Sequence, residues 1–262
     1  MGVYLITGTS RGLGEALAAH LLAKGHRVVG FNRTPSPRLG EEARTAAGGP
    51  YAGQTYDEVL CDLSEPVTAA AAFEAFLMEA AWLWNADEIT LINNAGVLDP
   101  MGPAEEADPS AQQAHLLVNL TAPLLLTSAF LRQASQWPAP AGKRVISISS
   151  GAGRKPYAGW SAYCSAKAGI DMMTRCIALE QGEGPGSVRI ASVAPGVVDT
   201  GMQETIRGTD PRRFPDAGRF VKLKEAGSLY TPQEAAARLA AWLESGAIKQ
   251  GDIADLRELP AT

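Results

Sequence analysis

An α/β fold of the Rossmann type, a doubly wound and mainly parallel seven-stranded sheet with helices on both faces, is predicted by three observations. Short runs of β-branched residues alternate with longer helical patterns along the 262 residues. Most of these runs are apolar at consecutive positions, which implies burial on both faces of the sheet. A glycine-rich segment also lies between the first strand and the first helix, where open α/β sheets bind ligands.

The strands read as Val3–Thr7, Arg27–Phe31, Val59–Cys61, Ile89–Ile92, Arg144–Ile148, Val188–Val193 and Asp252–Ala254. Leu13, Leu17, Leu21 and Lys24 recur at helical spacing between the first two, and Gly25 supplies the stop. Further helices are predicted at about Pro66–Ala81, Pro109–Ala134, Ser161–Gln181 and Pro232–Glu244, the last opened by a Thr231-x-x-Glu234 capping box with Pro232 at its first position. Two stretches break the rhythm. Asn32–Asp57 is rich in Gly, Pro and polar residues; Thr200–Tyr230 is longer than an ordinary connection and reads as a lid over a site. The length suits one α/β domain spanning 1–262, with that lid at about 200–230.

A formal charge of -5 argues against general attraction to nucleic acid or to an anionic membrane. The three cysteines, Cys61, Cys164 and Cys176, form no paired framework, and a strand begins too early for a signal peptide, so a cytoplasmic protein is expected. His20, His26 and His115 have no companions at metal-ligand spacing, so no metal site is expected and ordinary surface or packing roles fall to them.

Thr7-Gly8-Thr9-Ser10-Arg11-Gly12-Leu13-Gly14 follows the first strand and opens the first helix, the context in which backbone N–H groups approach a pyrophosphate. Where an NAD site usually carries an acidic residue at the end of the second strand, this chain has Asn32 followed by Arg33. Without a carboxylate there, Arg33 and Arg11 can hold a 2′-phosphate by charge-assisted bonds, so NADP(H) is the predicted cofactor. Asp62-Leu63 and Asn93-Asn94-Ala95-Gly96 end the third and fourth strands at the same sheet edge; the two asparagines alternatively serve turn backbone.

Ser150 precedes Tyr163 by thirteen residues and Lys167 follows it by four, one helical turn further on the same face. With the glycine loop, Asn-Asn-Ala-Gly, and Pro195-Gly196 followed by Thr200, this order and spacing resembles the short-chain dehydrogenase/reductase family over nearly the whole chain. The resemblance implies hydride transfer between a nicotinamide and a carbonyl carbon, with Tyr163 as acid/base, Lys167 lowering its pKa, and Ser150 stabilising the substrate oxygen. Bringing a tyrosine from about 10 toward neutrality needs about 4 kcal/mol. The resemblance further implies that Asn119 positions a water in a proton relay, although a helix asparagine bonding backbone is a rival reading. It assigns Asp62 and Leu63, Asn94, Ala95 and Gly96, and Pro195, Gly196, Val198 and Thr200 to the cofactor, and implies a homodimer or homotetramer through the helices holding Asn119 and Tyr163.

Gly159-Trp160-x-x-Tyr163-Cys164, Asp199-Thr200-Gly201-Met202-Gln203 and a terminal Gly-x-x-x-Asp look like the sepiapterin reductase and benzil reductase branch. Tyr157 and Trp160 would stack on a flat substrate ring and Met202 would adapt to its edge. Asp255 matches an acidic residue that anchors pterin in sepiapterin reductases. The expected activity is reduction of a small-molecule ketone or diketone. A secondary alcohol dehydrogenase and a noncatalytic NADP-sensing protein are the alternatives.

Overall fold

A computed structural model describes residues 1–44, 55–137 and 142–259. The strands β1 (Gly2–Thr7), β2 (Arg27–Asn32), β3 (Tyr56–Leu60), β4 (Glu88–Asn93), β5 (Gly142–Ile148), β6 (Arg189–Ala194) and β7 (Asp252–Asp255) form one sheet in the order β3-β2-β1-β4-β5-β6-β7. Every neighbouring pair is parallel. The winding reverses between β1 and β4, the topological switch point that opens a crevice at the carboxyl edge.

The apolar runs are buried as their lack of alternation requires: β1 is buried at all six positions. One face is covered by α1 (Gly12–Ala23) and α9 (Pro232–Glu244), which pack Leu17, Leu21, Leu239 and Leu243 against Tyr4, Ile6 and Ile146. The other is covered by α3 (Pro66–Glu79), α5 (Ala122–Ala134) and α6 (Ser161–Gln181), with Phe31, Phe73, Phe130 and Leu91 at its centre. Gly25 adopts a φ of +82° just past α1, and the Thr231–Glu234 capping box forms in both directions.

Four differences from the sequence reading have identifiable causes. β3 starts three residues earlier than expected because its charged residues are used on an edge strand: Asp57 pairs with Arg27, and Glu58 accepts bonds from Asn32, Ser36 and Tyr56. The first break contains a short helix, α2 (Pro37–Arg44); residues 45–54 of that stretch lie outside the described residues. The second break holds two helices, α7 (Gly201–Gly208) and α8 (Ala217–Glu225). The helix expected at Pro109–Ala134 runs as α4 (Pro109–Leu116), a π segment at Leu117–Thr121, and α5. By length, and by a mean hydropathy of 1.6 over its most apolar 18-residue window, this 26-residue helix could cross a bilayer. Here its apolar side packs into the core under the sheet through Ala122, Leu126, Ala129 and Phe130.

The segment 199–230 leaves and rejoins the body at one neck. Val198 and Tyr230 form an isolated bridge, with Asp199 N bonded to Tyr230 O at 2.8 Å and Tyr230 N to Val197 O at 3.0 Å. Phe214 and Phe220 then dock the two helices onto Leu98, Met101, Ala152 and Trp160, making a third apolar cluster over the edge where the sheet ends.

Candidate active site

The glycine loop is built by sterics. Gly8 and Gly12 hold φ of +75° and +63°, conformations that L side chains disfavour. Gly14 has an ordinary φ but no room: a Cβ there would lie 2.1 Å from Gly8 O and 2.4 Å from Asn94 Nδ2. Asn94 explains the closeness, donating to Thr7 O at 2.9 Å and Gly8 O at 3.1 Å, while Asn94 N and Ala95 N both donate to Thr7 Oγ1 at 3.0 Å. Asn93 is buried and donates to Thr127 and Ser147. The backbone-bonding reading therefore accounts for the Asn94 side chain, whereas Asn93 is spent on side chains of α5 and β5.

Asn32 is corrected in the same sense. Its Oδ1 accepts from Thr9 N at 2.7 Å and its Nδ2 donates to Thr9 Oγ1 at 2.8 Å and Glu58 Oε1 at 2.6 Å, so the amide is spent bracing the glycine loop from within. Glu58, which sequence reading missed, accepts three bonds on its Oε1, from Asn32, Ser36 and Tyr56, beside this strand end. Arg33 and Arg11 are exposed, and neither has an acidic partner among the described salt bridges. Asp62 is exposed after β3; bonds from Ser64 N at 2.9 Å and Ser64 Oγ at 2.8 Å, with the Arg33 charge, hold it below the usual carboxylate range. Leu63 is buried in the core, Leu13 packs against the α1 cluster, and Ser10 is half-buried in the loop.

These residues fit a dinucleotide phosphate. No side chain caps the start of α1, so its first N–H groups are left for another acceptor, and the one contact that would fill the loop is the Cβ that Gly14 lacks. Thr200 caps the opposite wall: a Cβ on Gly12 would lie 3.4 Å from Thr200 Cγ2. Pro195 and Gly196 follow β6 beside it, and Val198 is taken up by the neck bridge.

On the other wall, β5 ends at Ile148 and delivers Ser150, while α6 starts at Ser161 and places Tyr163 and Lys167 one turn apart. The Ser150 hydroxyl accepts from Ala152 N at 3.2 Å and stands close enough to the Tyr163 phenol to favour its ionised form. Tyr163 is 8% exposed and Lys167 6%. The Lys167 ammonium donates to Ile148 O at 2.8 Å and lies 5.7 Å from the centre of the Tyr163 ring. Burial pulls Lys167 down to about 8, with Asp171 opposing it. Asp171, missed in the sequence, continues the 163–167–171 row of α6 and accepts from Ser192 Oγ at 2.7 Å. The i, i+4 spacing from Lys167 was the available signal.

The expected acidified phenol is not what the geometry gives. Burial pushes the Tyr163 hydroxyl up, and the bond to Ser150 opposes it. The Lys167 head is turned to the Ile148 carbonyl instead. Asn119, 1% exposed in the π segment, receives Val97 N at 2.8 Å and donates to Val97 O at 2.7 Å. This is the backbone-bonding role posed as the rival reading. A Cβ on Gly96 would be 3.0 Å from Asn119 Oδ1 and 3.9 Å from Lys167 Nζ, so amide and ammonium border one small space.

The substrate-side expectations are redistributed. Trp160 is buried and stacks on Phe214 at 4.4 Å and 21°, with Tyr163 at 5.2 Å and Phe220 at 5.7 Å, so its ring is taken up within the protein rather than offered as a free platform. Tyr157 remains half-buried, its hydroxyl bonded to Arg219 at 2.8 Å, and Met202 packs partly buried against the same cluster. Asp255 is corrected: it is buried and its carboxylate is taken by Arg257, through Nε at 2.9 Å, Nη2 at 2.5 Å and the backbone N at 3.0 Å. Burial works against that carboxylate, yet these bonds outweigh it and hold Asp255 below the usual range. It has no free edge for a pterin. Arg257 stands two residues after Asp255, a local spacing that could have flagged the pair, whereas the phenylalanines of the 199–230 segment carried no motif, since neither spacing nor periodicity marks a residue used only through long-range packing.

Among known proteins, residues 2–211 match the family model for short chain dehydrogenases. A benzil reductase ((S)-benzoin forming) from Bacillus cereus is 39% identical over 258 residues, covering 98% of this chain and 100% of the relative. The sepiapterin reductase of Xenopus tropicalis is 31% identical over 261 residues, covering 96% and 94%. The crystal structure of a short-chain dehydrogenase/reductase from Burkholderia vietnamiensis superposes with a TM-score of 0.63 at 35% identity over 99% of this chain and 98% of that one. With a family match over most of its length and relatives aligned end to end, this chain belongs to the short chain dehydrogenases, oxidoreductases acting on CH–OH and C=O groups.

Proposed function

We propose that this protein is an NADPH-dependent carbonyl reductase of ketones or diketones, in which Tyr163 is the general acid. The observation that carries the reading is the buried Tyr163 phenol beside Ser150, with the Lys167 ammonium 5.7 Å from its ring centre. NADPH, when bound, supplies the hydride.

The residues then divide the work. Ser150 is held by the turn at Ala152 beside Tyr163, which places its hydroxyl to donate to the substrate oxygen and to oppose charge developing there. Tyr163 stands beside it with its proton, and burial keeps that proton on at neutral pH. A protonated phenol is the form that reduction needs, whereas oxidation of an alcohol needs the phenolate. Lys167, held near 8 by burial, can accept and return a proton close to neutrality while anchored to Ile148 O. Asn119 tethers Val97 and the segment after β4 beside it. Arg33 and Arg11, both exposed and without a salt-bridge partner among the described residues, support the choice of NADPH.

The covered Asp255 favours an aromatic diketone such as benzil over a pterin, because a guanidine-like ring edge would find an occupied carboxylate. The 199–230 segment is read as the substrate lid of a single catalytic domain, closed at its neck by the Val198–Tyr230 bridge. The reading also includes a cytoplasmic protein, whose three cysteines are free. It includes a homodimer or homotetramer as well, supported by exposed Leu116, Leu124, Met172 and Leu179 on the helices that carry Asn119 and Tyr163.

The test is Tyr163→Phe assayed by NADPH oxidation with benzil. Turnover is expected to fall at least about 100-fold while NADPH affinity is retained, since general acid assistance is commonly of that size. Undiminished turnover overturns the proposal.

A further inference from the structure

Ser150 stands two residues past the end of β5, outside the sheet, and opens a single tight turn over Gly151–Gly153. Four bonds shape that turn from within: Ala152 N to Ser150 Oγ at 3.2 Å, Gly153 N to Ser150 O at 3.0 Å, Arg154 N to Gly151 O at 3.1 Å and Lys155 N to Gly151 O at 3.0 Å. None of them reaches α6, so none sets how far the serine stands from Tyr163 and Lys167.

Two successive residues of the turn do reach α6. A Cβ on Gly153 would lie 2.8 Å from both Lys167 C and Lys167 O and 3.1 Å from Ala168 N, closer than a real Cβ approaches. The turn therefore rests backbone to backbone on the helix, at the residue that carries the ammonium, and neither surface is a flexible side chain that could swing aside. Arg154 follows. Its Nη2 donates to Ala254 O on β7 at 3.0 Å, and its Nε lies 3.4 Å from Asp171 Oδ2 on α6, one turn beyond Lys167.

Arg154 is itself exposed, but its partner is buried. Asp171 Oδ1 accepts from Ser192 Oγ on β6 at 2.7 Å, while Oδ2 accepts no hydrogen bond among the described residues and faces the Arg154 charge. A buried carboxylate holds such a partner firmly, because losing it leaves a charge without compensation in a medium that solvates it poorly. The glycine thus sets how closely the turn can approach α6, and the arginine keeps it there.

We propose that Gly153 and Arg154 are positioning residues for Ser150: the missing Cβ of the one and the ion pair of the other to Asp171 seat the serine turn on the Tyr163–Lys167–Asp171 row, and so fix where the serine hydroxyl meets the substrate oxygen. The inference rests on the reading of Ser150 and Tyr163 as reacting groups. Neither positioning residue supplies a group to the reaction, since one has no side chain and the other spends its guanidinium on Asp171 and Ala254.

The experiment measures benzil reduction by NADPH for Gly153→Ala and Arg154→Gln, each made in the parent and in a Ser150→Ala background. In the parent, each is expected to lower kcat about tenfold, a fraction of the roughly 100-fold that misplacing a reacting group by about 1 Å costs, with the affinity for NADPH unmoved. In the Ser150→Ala background no hydroxyl is left to place, so each is expected to change kcat less than about twofold, the non-additivity of residues that act through one group. Arg154→Lys, which returns a cation to Asp171 without the fork that also reaches Ala254, is expected to recover part of the lost turnover. The same fall in both backgrounds overturns the proposal, because it marks damage to Lys167 or to the fold and not to the place of the serine. Undiminished kcat of both variants in the parent overturns it as well, and a fall confined to one of them overturns the shared seat. If one variant does not fold, the other carries the comparison alone. Ser150→Ala with turnover retained would overturn the underlying reading, and this inference with it; a loss there of about 100-fold or more, the usual effect of removing one donor to a developing oxyanion, with undiminished falls at 153 and 154 added to it, overturns only the inference.

Discussion

The two walls of the cleft are held by different kinds of contact. On the glycine-loop side, nearly every fixing bond involves backbone or a short amide reaching backbone: Asn94 to Thr7 O and Gly8 O, Asn32 to Thr9 N, Thr7 to the amides of Asn94 and Ala95. Those contacts demand particular residue types at particular places, and tolerate no added Cβ at Gly14. On the side of the 199–230 segment, the fixing contacts are aromatic side chains, Phe214 and Phe220 against Trp160, plus Arg213 reaching Met101 O at 3.0 Å. Packing of that kind can be met by many sequences. One wall therefore suits a cofactor that does not vary, and the other can be refitted to a substrate while Ser150, Tyr163 and Lys167, the proposed reacting groups, stay in place between them.

That contrast predicts that damage will separate cleanly by wall. Phe214→Ala should have the largest effect, since Phe214 is fully buried in the stack: a loss of about 3 kcal/mol in unfolding free energy, with KM for the carbonyl substrate raised and NADPH affinity retained. Denaturant melts beside paired binding and rate measurements would check it, and weakened NADPH binding would erase the separation. Gly14→Ala should do the reverse. Its methyl must push Gly8 and Asn94 apart, an overpacking cost of about 1–3 kcal/mol that calorimetry should show as weaker NADPH binding, with the substrate KM at saturating cofactor unchanged. Arg33→Asp should be the smallest change and the most selective, lowering affinity for NADPH about tenfold while leaving NADH almost unaltered, the difference of one charge-assisted contact. An unchanged preference would remove the 2′-phosphate from this residue.

A pH series sharpens the same line. Burial keeps Tyr163 protonated, so reduction should persist into alkaline solution, whereas alcohol oxidation, which needs the phenolate, should rise as pH increases. Parallel profiles in both directions would mean that another group limits the rate.

Much of this was legible from residues in order. Buried parallel strands announce themselves by consecutive apolar positions, a helix by its caps, and the glycine loop by the steric need for glycine at Gly8, Gly12 and Gly14, all of them local properties of the chain. The spacing from Ser150 through Tyr163 to Lys167 is similarly local, because a strand end followed by a helix start converts it directly into a shared wall. The start of β3 was hidden because Asp57 and Glu58 look like loop residues until Arg27 and Asn32 are brought beside them. Partnerships across the fold were decided by tertiary structure alone. Asn32 reads as a cofactor contact until Glu58 and Thr9 claim it. A sequence specifies which groups a chain carries and how its neighbours space them; whether a polar group is free or already satisfied depends on what folding brings within 3 Å, and that is a property of the whole chain.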